Sequence, residues 1–264
     1  MALAAGRSTV LTLCVSDIIG SPLHAIAGGP TTADPITLDE CRDILTHLSS
    51  KRPLAPSLHR AFFSKEDAVS ETPKAVPSNI LMGNVLVDLS LAIEAAAREC
   101  KTSFPEATVV TLSSRTSGEA AELGRFLARI GTDVSLRRPF VLLGGGETTV
   151  TMDSARSGLG GRNQELALAA AIQMSEDQEC TNTLALLAIG TDGTDGPTPA
   201  AGACVTKMTL KQSTLVAAHE ALDKHDSYNF FNTYAHGDHI ITGPTGTNVM
   251  DFFVVCDFPL KPAI

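Results

Sequence analysis

The chain has 264 residues, 44% hydrophobic and 19% charged, enough to bury one large core or two modest ones. A formal net charge of −9 argues against nucleic acid or an anionic membrane as the main partner, yet allows a small anion met by local arginines. The longest apolar runs, 166–172 and 184–189, fall far short of the ~20 residues a membrane span needs.

Residues 9–15 read as a first buried strand rather than the apolar region of a signal peptide, and they end at Ser16-Asp17. Residues 38–48 have helical spacing, with Thr37 as N-cap and Glu40 completing a capping box. The Pro-, Ser- and charge-rich stretch 51–77 predicts a surface loop or hinge. A short strand at 79–82, an amphipathic helix at 85–100, a strand at 107–112 and a helix at 118–130 follow. After the polar linker 131–138 come strands at 140–143 and 148–152, then a helix at 163–174. A strand at 184–189, a helix at 209–222 and two strands at 239–242 and 251–256 complete the chain. This alternation predicts an α/β fold, a mixed or largely parallel sheet with helices on both faces, and a boundary near 131–139. The six cysteines are scattered with no C-x-x-C pair, and no N-x-S/T sequon occurs. Both agree with free thiols in a reducing, cytoplasmic setting, or a mitochondrial one if an upstream targeting segment is missing.

Chemistry concentrates in two glycine-dense segments. The first is Gly144-Gly145-Gly146-Glu147-Thr148-Thr149, continuing to Gly158-Leu159-Gly160-Gly161-Arg162-Asn163-Gln164-Glu165. The second is Gly190-Thr191-Asp192-Gly193-Thr194-Asp195-Gly196-Pro197-Thr198. Neither is a P-loop, a dinucleotide fingerprint or a nucleophile elbow. Gly160-Gly161 precede a helix start whose N–H groups and dipole favour an anion, and Arg162 adds a bidentate fork. A glycine turn with a solvated first helical turn explains the same residues.

Asp17, Asp192 and Asp195 stand at strand ends, where carboxylates hold a hard cation or deprotonate a hydroxyl. Ordinary turn formation by Asp-Gly pairs is the competing explanation. Gly243-Pro244-Thr245-Gly246-Thr247-Asn248 offers hydroxyls, an amide and N–H groups to a phosphate, or is a plain connection between strands. His236 and His239 have H-x-x-H spacing without further ligands at zinc distance. Asn79 and Asn84 flank a strand-to-helix turn, a place for ligand contact, though capping explains Asn84 adequately.

Taken in order, 140–150 with 158–168, 190–202 and 237–251 resemble the C-terminal MOFRL domain of the class II glycerate kinases. Residues 15–31 resemble the end of the preceding MOFRL-associated domain, and 79–87 and 111–125 also fit. The resemblance implies a MOFRL-associated remainder at 1–130, with the hinge at 51–77, and a MOFRL-type α/β domain at 139–258. It implies a cytoplasmic kinase that uses ATP and Mg2+ to phosphorylate a hydroxyl of D-glycerate. Arg162 would hold the transferring phosphate or the substrate carboxylate. Asp17 and Asp192 would be metal ligands or the base, and Glu147, Asn163, Asp195, Thr245 and Asn248 would line the cleft. Family members carry an N-terminal half with a lysine-bearing glycine turn and a Gly-Gly-Gly-Ser loop, so this chain resembles their C-terminal half. Two other readings stand beside the kinase: a non-catalytic binding or regulatory chain, homo-oligomeric or paired with a full-length homologue, and a hydroxypyruvate reductase.

Overall fold

The computed structural model, which describes residues 1–64, 69–152 and 158–259, forms two units. One comprises residues 1–14 and 21–86; the other comprises residues 15–20 and the chain from Val87 onward.

In the first unit, β1 (Val10–Val15) and β2 (Ile80–Val87) form a two-stranded sheet. Helix α1 (Leu38–Ser49) starts where its signals stand: Glu40 N donates to Thr37 Oγ1 at 3.2 Å and Thr37 N donates to Glu40 Oε2 at 2.7 Å. The stretch expected as a loop contains a helix, α2 (Pro56–Phe63), which Pro56 opens with its φ preset for the first turn. Residues 65–68 of that stretch lie outside the described residues. Strand β2 also runs further than its apolar pattern suggested, through Val87, where a helix was expected to have begun.

In the second unit, α3 (Leu89–Ser103) begins only after Asp88, whose carboxylate accepts the Leu91 N–H at 3.0 Å. Next come β3 (Thr108–Thr111), β4 (Thr116–Glu119), α4 (Ala120–Asp133) and β5 (Phe140–Thr149). Helix α5 (Arg162–Glu176), β6 (Leu184–Gly190), β7 (Gly202–Thr206), α6 (Leu215–Asp223), α7 (Ser227–Tyr234), β8 (His239–Ile240) and β9 (Asp251–Asp257) complete it. The strand order is β3-β5-β9-β6-β7-β8, with β4 also pairing β5. Only β3 and β4 run parallel to β5; the other pairings are antiparallel, so the sheet is mixed.

Alternation along β5 feeds two faces. Phe140 and Leu142 join a core with α4 to α7, while Val141 and Leu143 pack with Leu89 and Ile93 of α3. Helix α5 is buried almost all round, its residues 166–172 all within the core, as an inner helix must be. The two units part at Leu86/Val87, and within the second α4 packs its Gly124 directly on the α5 backbone.

Strand β5 corrects another expectation. Strands at 140–143 and 148–152 were expected on either side of a glycine break, but 140–149 is one strand through Gly144, Gly145 and Gly146. These glycines answer close packing: a Cβ on Gly144 would sit 2.3 Å from the Phe253 ring, and one on Gly145 2.3 Å from the Asp251 carbonyl oxygen.

Gly124 generates a prediction of unusual sign. Gly→Ala inside a helix ordinarily stabilises by roughly 0.5–1 kcal/mol. Here the added Cβ would meet the Leu166 carbonyl oxygen at 2.1 Å. Overpacking costs about 1–3 kcal/mol and outweighs the propensity gain. Gly124→Ala is expected to lower the urea midpoint; an unchanged or raised midpoint would mean the two helices part without cost.

Candidate functional site

Helix α5 opens at Gly161 with no side-chain cap of its own. Asp195, on the loop after β6, supplies it from 31 and 32 residues away in sequence. Its Oδ1 accepts from Asn163 N at 3.0 Å and Asn163 Nδ2 at 3.2 Å; its Oδ2 accepts from Gln164 N and Gln164 Nε2, each at 2.9 Å. The anion expected at this helix start is therefore a buried carboxylate of the protein itself, 3% exposed. Glycine is required where the two loops touch: a Cβ on Gly161 would lie 2.3 Å from the Asp195 Cγ. Gln164 extends the network to Thr198 Oγ1 at 3.0 Å and to His239 Nε2 at 3.0 Å. Burial lowers the His239 pKa, with the charges of Asp195 and Asp238 opposing it.

Arg162 heads the same helix. Its Nε and Nη2 hold Asp251 in a bidentate contact at 2.6 and 3.1 Å, and its Nη1 reaches Glu147 at 3.1 Å. Register places Asp251 between the two glycine-rich strand ends, opposite Gly146 of β5 and Gly190 of β6. Asn163 Nδ2 also donates to Asp251 at 3.0 Å. Burial opposes the Arg162 charge, but the hydrogen bond and charge of Asp251, then the charges of Glu147 and Asp195, hold its pKa above the usual guanidinium value. Burial raises the Asp251 carboxyl, and the bonds from Arg162 and Asn163 pull it back.

Both loops wall a cavity of about 610 Å³. Of the residues expected at the site, Arg162, Asn163, Asp192, Asp195 and Asn248 line it. Glu147 reaches it only through Arg162. Asp17 is exposed and is not among its lining residues, and neither is Thr245. Thr245 is a stitch between loops instead, its N donating to Asp192 O at 3.1 Å and its hydroxyl to Thr191 O at 2.6 Å. Asp192 Oδ1 accepts the Thr194 N–H at 3.0 Å, the turn its Asp-Gly context suggested. Asn248 likewise accepts the Met250 N–H at 2.9 Å.

Sequence reasoning passed over four residues of the cavity wall. In the sequence Asp251 stands simply as the first residue of a strand. Glu165 ends the first glycine-dense segment, and its Oε2 sits 2.9 Å from His225 Nδ1. The hydroxyl of Thr148, buried at the wall, has no hydrogen-bond partner among the described residues. A charged residue heading the apolar run 251–256 was the one signal available for any of them.

Residues 140–251 match the MOFRL family, and residues 1–62 match a domain of unknown function, DUF4147. A glycerate 2-kinase of Pyrococcus horikoshii is 36% identical over 92% of this chain and 54% of its own length. A glycerate kinase of Macaca fascicularis is 32% identical over 95% of this chain and 73% of its own length. A crystal structure of glycerate kinase from Thermotoga maritima superposes with a TM-score of 0.77 at 34% identity, covering 97% of this chain and 59% of that one. The chain spans a little over half the length of the first curated relatives it matches, 54–56%.

Asp195→Ala strips four donors at the α5 start of their acceptor and opens a gap between the loops. Orphaned buried donors cost about 1–3 kcal/mol each where water cannot replace the partner, so a loss of about 3–5 kcal/mol is expected in urea unfolding. A loss under about 0.5 kcal/mol would show that water caps the helix equally well.

Proposed function

The chain belongs to the class II glycerate kinase family, and from that premise we propose that it transfers the γ-phosphoryl group of ATP to a hydroxyl of D-glycerate in the 610 Å³ cavity. The observation that carries this reading is Arg162. A permanent cation stands at a cavity wall, anchored by a buried carboxylate. Phosphoryl transfer asks a protein mainly for positioning and for positive charge where negative charge grows. Asn163, Asp192 and Asn248 are the polar groups we assign to substrate contact, and the unpartnered Thr148 hydroxyl is a further donor.

The donor set fits poorly to a divalent ion held by Asp17 and Asp192. Asp17 is not on the cavity, one Asp192 oxygen is committed to Thr194, and among the described residues no group of three or more His, Cys, Asp or Glu is poised around one point. No step is assigned to a metal. The six cysteines are unpaired, and no helix among the described residues is long and apolar enough to cross a membrane. We place the protein in the cytoplasm.

The kinase is tested by ADP release from ATP, Mg2+ and D-glycerate, with the chain alone and with the N-terminal half of the Pyrococcus horikoshii relative added. Turnover in either mixture is expected; none in both sinks the kinase and leaves the regulatory reading. Within the active mixture, Arg162→Ala is expected to lower kcat about 10²–10³-fold, and Arg162→Lys to rescue only part of it, since lysine keeps the charge without the fork. Thermal melts check folding. Near-normal kcat/KM in both variants would return Arg162 to a structural role.

A further inference from the structure

Glu165 and His225 are brought together by two turns of chain that meet at the cavity. Glu165 stands three residues after Arg162 in the first turn of α5, so the two share a helix face. His225 sits in the turn between α6 and α7, in the left-handed region at φ 53°. That turn is tied to the glycine loop before α5: Gly158 N donates to Lys224 O at 2.9 Å, Leu159 N to Asp226 Oδ1 at 2.7 Å, and Tyr228 N to Leu159 O at 2.9 Å. A non-glycine residue held in this conformation beside a cavity is a frequent mark of function. Glu165 is 6% and His225 14% exposed at the side chain, and both line the cavity.

We propose that His225, oriented by Glu165, is the catalytic base that takes the proton of the glycerate hydroxyl. This rests on the kinase reading above. With Nδ1 engaged by the carboxylate, a neutral imidazole carries its proton there and presents the Nε2 lone pair. Nε2 makes no hydrogen bond to a described residue. Of the rival carboxylates on the cavity wall, Asp195 accepts four N–H bonds and Asp251 holds Arg162, while Asp192, with one oxygen on Thr194, is assigned to substrate contact. Behind the wall, His239 has its Nε2 on Gln164 and its ring stacked on Tyr228.

In the step, the substrate O–H bond breaks as its oxygen bonds to the γ-phosphorus. The bond from γ-phosphorus to the bridging oxygen breaks and ADP leaves. The proton stays on Nε2 as imidazolium, opposite the Glu165 carboxylate, until solvent takes it. Other charges near the pair are Glu119 at the end of β4 and Asp195 from the loop after β6, with Lys224 and Asp226 flanking His225 on its own turn. Burial raises the Glu165 carboxyl, and the His225 hydrogen bond and charge pull it back.

A base works only when neutral, so log kcat acquires an acid limb. In the assay above, His225→Gln is expected to lower kcat about 10²–10⁴-fold, with KM for glycerate changed less than about threefold, and to flatten the acid limb. Glu165→Gln, which leaves the imidazole but not its anionic partner, is expected to give an intermediate loss. Circular dichroism melts check both, and His225→Asn, which tolerates the left-handed backbone, replaces Gln if that variant does not fold. Independently of turnover, nitrogen shifts of ¹⁵N-histidine-labelled protein above neutral pH are expected to show the proton on Nδ1 of His225. A proton on Nε2 would overturn the proposal. So would a His225→Gln enzyme within threefold of wild type that keeps its acid limb. Absence of transfer by the wild type in every mixture is a different result; it fells the kinase reading and the base with it.

Discussion

A buried carboxylate at the start of one helix holds this site together. Asp195 takes both side-chain and both backbone donors of Asn163 and Gln164, so the loop after β6 and the first turn of α5 cannot move separately. Bonds to a charged group are worth about 1.5–3 kcal/mol each, enough to offset placing an ion where water cannot follow. The approach this demands leaves no room for side chains. Gly161 would drive a Cβ into Asp195, and Gly196, at φ 60°, would drive one to 2.2 Å from the Gly160 carbonyl oxygen. The glycines that looked like a ligand cradle are, in the first place, the condition for two loops to lie in contact.

The sheet supplies the second coordinate of the site. Strand β9 lies between β5 and β6, and its first residue, Asp251, falls opposite Gly146 and Gly190. One carboxylate thus marks where both glycine-rich segments leave the sheet. Arg162 reaches it with two nitrogens, which orients the guanidinium as well as charging the site. Helix start and strand ends therefore share one corner of the cavity, although the residues involved come from four separated stretches of chain.

What could be read beforehand was local. The Thr37–Glu40 capping box, the start of α5 within a residue, and the buried run of β6 each depend on neighbours in sequence. Arg162, Asn163, Asp192 and Asp195 line the cavity, and the glycines near them in sequence were what singled them out. Strand β5 was not legible across Gly144 to Gly146, because glycine usually interrupts a strand and the cause here, the Phe253 ring, lies over a hundred residues away. The end of β2 was misplaced because Val85, Leu86 and Val87 suit either period, and Asp88 decides between them. Asp17 and Thr245 looked alike to the others in composition, yet neither is among the residues lining the cavity. His225 carried no local mark and Asp251 only its place at the head of an apolar run; the tertiary fold alone pairs them with Glu165 and Arg162.

The charges already present decide how an anion can enter. Arg162 meets two carboxylates, and they are not equivalent. Asp251 is 7% exposed at the side chain and bound through two nitrogens, so removing its partner would leave a buried charge at a cost of about 3–5 kcal/mol. Glu147 is 46% exposed and touches Nη1 alone, an arrangement worth about 0–1 kcal/mol once solvent screening is counted. An incoming phosphate or carboxylate that competes for the guanidinium therefore displaces Glu147 far more cheaply than Asp251. The Nε and Nη2 edge serves as the anchor and the Nη1 edge as the exchangeable one. Arg162 can thus change its ligand without changing its position, and position is what the proposed phosphoryl transfer would ask of it.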